Sequence, residues 1–400
     1  MQLFSGRDYL RIDIANNFGL DKEDWNVRLD WFNSNEHQLD KLIKQAETPA
    51  LYYAGIQAWK KTQAGRPTGY PISLDATSSG IQILACLTGD RKAAELCNVV
   101  NTGHRQDAYT GLYQKLLDKV GESAKVSRKD TKQAIMTAFY NSTAVPKRVF
   151  GEGAILNCFY ETMKENAPGA WELNETMLNI WDNTALMNSW VMPDNFHIQI
   201  KVMGNVTERV HFLGSPFDVN YSQNMPIENG RSLGANMTHG IDGMVVKEME
   251  RRCNFDPVKI EQVRNITRHN YKEAREDNDK NRMVKTLWGH YLDCGFLSTR
   301  ILDYITPHNA GHVTDMQPIV EMIDSLPKKP FELLSIHDCF RCLPNYGNDL
   351  RKQYNICLSN IAKSNLLSFI ISQIINRKVT IGKLDDNLWK DILDTEYALS

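Results

Sequence analysis

Tyr70-Pro71-Ile72-Ser73-Leu74-Asp75-Ala76-Thr77-Ser78-Ser79-Gly80 begins as a short apolar run after Pro67 and Gly69, and it reads as a strand that stops at Asp75. Phe331 to Ile336 is a second apolar strand candidate, and it stops at His337-Asp338. An aspartate at the end of a buried strand is held at the rim of a sheet. Two such strands side by side would bring Asp75 and Asp338 together. Like charges that close are unfavourable unless a cation neutralises them. Magnesium binds through one or two carboxylates and completes its shell with water and substrate phosphates. Two such ions, roughly 3.5–4 Å apart, clamp the attacking and leaving oxygens of an in-line displacement. Taken singly, either residue reads as well as a simple strand-end cap.

Outward from these two points the chain reads as mainly helical α+β. The first 60 residues are helical, with Trp25, Leu29 and Phe32 on one face. Helical patterns dominate from Ile81 to Trp190. Phe196-His-Ile-Gln-Ile-Lys-Val and Val210-His-Phe-Leu alternate with period two, so strands are expected between Phe196 and Asn220. Residues 255 to 290 read as one long, exposed, charged helix. No repeat, low-complexity tract or Pro/Gly-rich linker divides the 400 residues, which makes one interwoven unit.

Composition narrows the class little. The chain is 42% apolar and 24% charged, as in an ordinary globular protein. The formal net charge of -2 does not by itself suggest nucleic acid. Basic residues cluster at Lys125 to Lys132, Lys147-Arg148 and Lys259 to Lys285, and each cluster alone reads as a solvated face. No run of eighteen apolar residues occurs and the N-terminus lacks an apolar signal core, so no membrane segment and a cytoplasmic location are expected. Eight scattered cysteines fit a reducing compartment. Cys339-x-x-Cys342 has no further zinc ligands at matching spacing, and it reads as structural.

Ser127-Arg128-Lys129-Asp130 has the form of a capping box, with the helix running on to Tyr140. Arg128, Lys132, Met136 and Tyr140 recur every four residues on one face. Cations in a first helical turn oppose the macrodipole. An anion such as a triphosphate at that N-terminus would remove the conflict. Asn141 follows, and Asn is the best substitute for Gly in the left-handed conformation that ends helices.

These segments together resemble the single-subunit, phage and mitochondrial type of DNA-dependent RNA polymerase. Asp75-Ala-Thr-Ser-Ser-Gly80-Ile-Gln82 looks like the family's motif A, Arg128-x3-Lys132-x7-Tyr140 like motif B, and His337-Asp338-Cys339-Phe340 like motif C. Asn236-Met-Thr-His239-Gly-Ile-Asp242-Gly243 is similar to the His-containing segment between B and C. Tyr9-Leu-Arg-Ile-Asp-Ile-Ala-Asn and the ending Asn387 to Ser400 are similar to the flanks. The resemblance implies a right-hand architecture of palm and fingers with a small antiparallel palm sheet. It implies catalysis by two Mg2+ ions held by Asp75, Asp338 and the backbone carbonyl of Ala76. Lys132 would contact the triphosphate and act as general acid toward pyrophosphate, and Arg128 would grip the β- and γ-phosphates. Tyr140 would stack near the templating position and select ribose, Gly80 would leave room in the pocket wall, and His239 would reach the RNA–DNA duplex or the sugar. His337 would pack beside the metal site, or serve as an ordinary core histidine. Partners implied are a DNA template, the RNA product and NTPs.

The segments so implied are 1–66 leading into the palm, 67–100 with motif A, 101–195 as fingers, 196–250 with a hairpin and His239, 251–330 as an inserted helical subdomain, and 331–400 with motif C. Three features depart from the family. Asn141 stands where Gly is usual; about ninety residues separate Asp242 from His337; and the motifs begin within the first residues, with no Arg-Gly-Arg. The last feature is similar to the larger chain of the split, two-chain RNA polymerases of N4-like phages. It carries the expectation that the N-terminal domain and thumb are lacking here. A smaller second chain would supply them with the Arg-Gly-Arg segment, as a heterodimer, and accessory factors would assist initiation. The competing readings are a family A-like DNA polymerase, whose motif A instead reads Asp-Tyr-Ser-Gln-Ile-Glu, and a non-catalytic nucleic-acid-binding subunit of polymerase descent.

Overall fold

The computed structural model describes residues 1–121, 126–272 and 276–400. The N-terminal part is helical, as its periodicity predicts: α1 (Gly6–Ala15), α2 (Trp25–Asn35) and α3 (Pro49–Gln63), before strand β1 (Ile72–Asp75). A run of helices follows: α4 (Ser79–Thr88), α5 (Arg91–Leu96), α6 (Ala108–Val120), α7 (Arg128–Ala138), α8 (Ala144–Phe150), α9 (Ala154–Asn166) and α10 (Pro168–Asn179). Next come the strands β2 (Met187–Val191), β3 (His197–Lys201), β4 (Met203–Phe212) and β5 (Ser215–Asn224). The long helix α11 (Ser232–Cys253) leads into α12 (Pro257–Ile266), α13 (Asp279–Cys294) and α14 (Gln317–Ser325). The hairpin β6 (Leu334–Ile336) and β7 (Cys339–Cys342) precedes α15 (Gly347–Lys363), α16 (Leu366–Ile374) and α17 (Leu388–Ile392). The mainly helical α+β reading holds.

The sheet that matters is three-stranded and antiparallel, in the order β1-β7-β6. Its register places Leu74 opposite Phe340 and Asp75 opposite Cys339. Because side chains alternate, Ile72, Leu74, Phe340 and Cys342 are buried on one face, leaving Ser73, Asp75, Cys339 and Arg341 on the other. Cys339 and Cys342 therefore lie on opposite faces, and all eight cysteines are free, in line with a structural reading of the pair. One expectation is corrected here. The neighbour of β1 is β7, which follows Asp338, and not the run before it. Only Leu334–Ile336 of the 331–336 run is strand, so Asp338 sits in a hairpin turn.

The outer edge of β1 is closed by the end of the chain: Ala76 bridges Leu399, and Ser400 N–H donates to the Asp75 carbonyl at 2.9 Å. Beneath the sheet, the buried amide of Gln82 donates to the carbonyls of Cys97 (3.0 Å) and Ala398 (2.9 Å) and accepts from the Tyr354 hydroxyl (2.7 Å). This stitches α4 and α15 to the C-terminal residues.

Residues 255 to 290 are two helices, α12 and α13, and not one. Their apolar positions explain the break. Val263, Ile266, Val284, Leu287 and Trp288 face a second hydrophobic core, separate from the main one, that is completed by residues from 301 to 323. Glu248 on α11 ties this unit down. It is 2% exposed and accepts from the Ser298 and Thr299 hydroxyls, from Thr299 N–H (2.9 Å) and from Arg251 (2.8 Å). Glu248→Gln, which keeps the shape but not the charge, should cost roughly 1.5–3 kcal/mol. Chemical denaturation would show this as a lowered midpoint with an unchanged slope.

The hairpin β4–β5 is longer than the sequence suggests, with ten-residue strands that span roughly 34 Å. Its register puts Val206, Val210, Phe217, Val219 and Tyr221 on one face, and Asn205, Thr207, Arg209, Asp218 and Asn220 on the other. The β5 strand is exposed along its whole length.

Candidate active site

Asp75 ends β1, and Asp338 lies in the β6–β7 turn beside it. The Ala76 N–H donates to the Asp338 carbonyl at 3.1 Å, so the two acidic segments are locked together by backbone. The Asp75 carboxyl is pushed up to about 6, first by burial and then by the charge of Asp338. A third carboxylate, Asp242 on α11, is also raised by burial and by Asp338. Three acids thus share one rim. His337 sits among them at a φ of +59°, a left-handed conformation forced by the two-residue turn. Its ring is exposed, not in a core, and Nδ1 lies 3.1 Å from Asp338 Oδ1 and 3.9 Å from Asp242 Oδ2. The hydrogen bond to Asp338 raises the His337 pKa above its ordinary value.

Facing the acids is α7. Ser127 caps it as expected, with its Oγ accepting from Asp130 N–H at 3.1 Å. The helix ends at Ala138, two residues early, in a turn that carries Tyr140, and Asn141 adopts φ +64°, the left-handed state expected of it. The Arg128 guanidinium is held by a neighbouring helix. Its Nη2 donates to Asp107 Oδ2 at 2.5 Å and its Nε to Thr110 Oγ1 at 2.7 Å. Asp107 itself caps α6, accepting from Tyr109 and Thr110 N–H groups, and these bonds with Arg128 hold its carboxyl below the usual range despite burial. The first-turn cation is thus balanced by Asp107 at the start of the neighbouring helix α6. The Lys132 ammonium stands 5.1 Å from the centre of the Tyr109 ring. The basic stretches including Lys125 and Arg275 run in part outside the described residues.

Two cavity lobes, each of about 360 Å³, meet at Asp75, Ala76, Thr77, Tyr109 and Lys132. The first also reaches Lys22, Arg105, Asp107 and Arg128. The second reaches Gly80, Tyr140, His337 and Asp338. Tyr140 stacks on His239 with ring centres 5.0 Å apart and planes at 18°. Gly80 makes this possible: a Cβ there would lie 2.3 Å from the Tyr140 hydroxyl oxygen. The space beside Gly80 is therefore filled by Tyr140.

The structure brings together every residue singled out in the sequence: Asp75, Ala76, Gly80, Arg128, Lys132, Tyr140, His239 and Asp338. Sequence reasoning missed Lys22, Arg105, Asp107, Tyr109 and Asp242, and also Asp13. Asp13 is fully buried, accepts from Ser73 N–H (2.8 Å) and Tyr70 hydroxyl (2.7 Å), and is pushed up to about 6 by burial. It pins α1 to β1 at the back of the first lobe.

Part of the chain is similar to known proteins. Residues 4–167 match the family model described as DNA-dependent RNA polymerase, a stretch that contains Asp75, Arg128, Lys132 and Tyr140. Individual relatives agree. A probable DNA-directed RNA polymerase of Agaricus bitorquis is 29% identical over 166 residues, covering 34% of this chain and 15% of the relative. One from Gelasinospora sp. (strain G114) is 30% identical over 141 residues, covering 30% and 17%. The mitochondrial DNA-directed RNA polymerase of Schizosaccharomyces pombe is 28% identical over 170 residues, covering 36% and 15%. The match thus spans less than a fifth of each of these relatives. No helix among the described residues is long and apolar enough to cross a membrane.

Proposed function

We propose that this chain is the catalytic part of a DNA-dependent RNA polymerase, adding ribonucleotides to an RNA 3′ end on a DNA template and releasing pyrophosphate. The observation that carries the reading is the meeting of Asp75 and Asp338 on one sheet rim, across a cleft from Arg128 and Lys132. In this reading, residues 67–100 and 331–400 make a palm, 101–195 the fingers, and 251–330 an insertion.

The donor set fits magnesium. The Asp75 carboxyl is raised partly by the unneutralised charge of Asp338, and that repulsion is what a divalent cation removes. Asp75, Asp338 and the Ala76 carbonyl would hold two Mg2+ ions, which when bound lower the energy of the attacking and leaving oxygens. The protein groups do the rest. Arg128, presented as a fork by Asp107 and Thr110, grips the triphosphate, with Lys22 and Arg105 lining the same lobe. Lys132 lies between the lobes, where it can donate a proton to the departing pyrophosphate. Tyr140, braced on His239, forms the wall against which the incoming base and sugar are measured.

Arg128→Lys keeps the charge but loses the fork. The KM for NTPs should rise about tenfold, with a smaller change in kcat, as read by steady-state extension of a primed template. The same assay tests the whole proposal. Magnesium-dependent extension with ribonucleotides supports it; extension with deoxyribonucleotides alone points to a DNA polymerase, and binding without extension to a non-catalytic subunit.

The reading extends to a heterodimer, in which a second polypeptide packs against this chain. Two surfaces support it. The outermost strand β6 of the catalytic sheet leaves Leu334 58% and Ile336 63% exposed, and an open apolar edge invites another strand. The apolar face of the β4–β5 hairpin is a second such surface. Processive elongation by the isolated chain would refute the heterodimer while leaving the catalytic reading intact.

A further inference from the structure

His239 and Asp242 are three residues apart on α11 and share one face of the helix. The β6–β7 turn brings His337 against that face. The ligand atoms of these three side chains lie within 4.8 Å of one another. His337 Nδ1 lies 3.9 Å from Asp242 Oδ2.

We propose that His239, Asp242 and His337 form a binding site for a borderline transition-metal dication of the Zn2+ type, distinct from the Asp75–Asp338 pair, and that filling it slows nucleotide addition. The chemistry of the donors separates the two sites. Magnesium takes oxygen ligands, whereas imidazole suits zinc and its neighbours. Two imidazoles, one carboxylate and an open fourth position form a familiar zinc donor set. Ligands of a tetrahedral zinc stand about 3.3 Å apart, given metal–ligand bonds near 2.0–2.1 Å, so the cluster must contract by about an ångström. Both imidazoles are exposed and can turn to do so, while Asp242, 14% exposed, is the fixed point.

The consequence follows from the neighbours. His337 Nδ1 now bonds Asp338 at 3.1 Å, and His239 backs Tyr140. An ion that draws both rings toward Asp242 pulls one off a catalytic acid and the other off the wall of the nucleotide lobe. Only this inhibitory consequence rests on the polymerase reading; binding does not.

The test is titration of the full chain with Co2+, followed by its visible absorption, under excess magnesium. The expected result is one equivalent bound, with bands that persist in Asp75→Asn. Affinity should fall at least about tenfold in His239→Phe, which keeps the stack on Tyr140, and in His337→Asn, which tolerates the left-handed turn. Circular dichroism checks that each variant is folded. Displacement of Co2+ by magnesium, loss of binding in Asp75→Asn with retention in both histidine variants, or no binding to folded wild type would each overturn the site. Zn2+ should inhibit primed-template extension with a midpoint matching its displacement of Co2+. Zinc bound with the rate unchanged would overturn the inhibitory role, while absence of extension in every condition would tell against the polymerase reading alone.

Discussion

Asp75→Asn and Asp338→Asn are each expected to lower nucleotide addition by about 10³-fold or more, with DNA binding retained. Each change removes one of the two charges that would hold the ions, and electrostatic stabilisation of this kind is usually the largest single contribution to rate. Single-turnover extension with a labelled primer measures the loss, and a variant near wild type would remove the residue from the metal site. The same residues carry a stability signature. The Asp75 pKa in the fold is about 6, above the ordinary 3.8, so the fold favours the neutral form. Without divalent cation, stability should therefore be lost as pH rises through about 6, and Asp75→Asn should melt higher than wild type at neutral pH. With magnesium the sign reverses. Protons compete with the ion, so magnesium affinity should weaken below pH 6 by up to about tenfold per unit. Melting curves with and without magnesium across this range separate the two effects. An activity defect without the gain in melting temperature would mean that neither burial nor the charge of Asp338 disfavours the Asp75 carboxylate in the fold.

How much of this was legible in the sequence depends on whether the signal is local. The β1 strand and Asp75 could be read because a short apolar run and the preceding Pro and Gly are local features. Ser127 and Asn141 could be read for the same reason, since a cap and a left-handed residue are set by their neighbours. The partner strand was misassigned because β7 is only four residues long. Its Phe340 and Cys342 look no more strand-like than the apolar run before Asp338. Residues 255–290 were misread because charges outnumber the apolar positions. The few that matter, Val263, Val284 and Leu287, gain meaning only from the second core they meet. Lys22, Arg105 and Asp107 reach the cleft by tertiary packing, which no spacing encodes. Asp242 left one usable trace, the three-residue spacing from His239, which puts both on one helical face.

Gly80→Ala should be the next most damaging change after loss of an acid, by a different route. The added methyl would sit 2.3 Å from the Tyr140 hydroxyl oxygen and 3.0 Å from Cζ, distances that no rotation of alanine can relieve. Helix α4 cannot retreat, since Ile81, Ile83, Leu84 and Leu87 lock it into the core. Tyr140 must move instead, and its stack on His239 goes with it. A displacement of about 1 Å at a group that positions substrate can cost on the order of 10²-fold in rate. We expect that loss in kcat/KM for ribonucleotides, with melting temperature little changed because the strain is relieved into an open cavity. Tyr140→Phe separates position from chemistry. Removing the hydroxyl leaves the stack and takes away the 2.3 Å contact at residue 80, leaving the 3.0 Å approach of the ring carbon Cζ. It should therefore restore part of the Gly80→Ala rate in the double variant. In the single variant it should raise the ratio of deoxyribonucleotide to ribonucleotide incorporation, with little loss of ribonucleotide rate. Competitive incorporation assays on all three variants decide the matter. If the double variant is no faster than Gly80→Ala, the clash is not the cause; if Tyr140→Phe leaves the sugar ratio unchanged, the hydroxyl plays no part in selecting ribose.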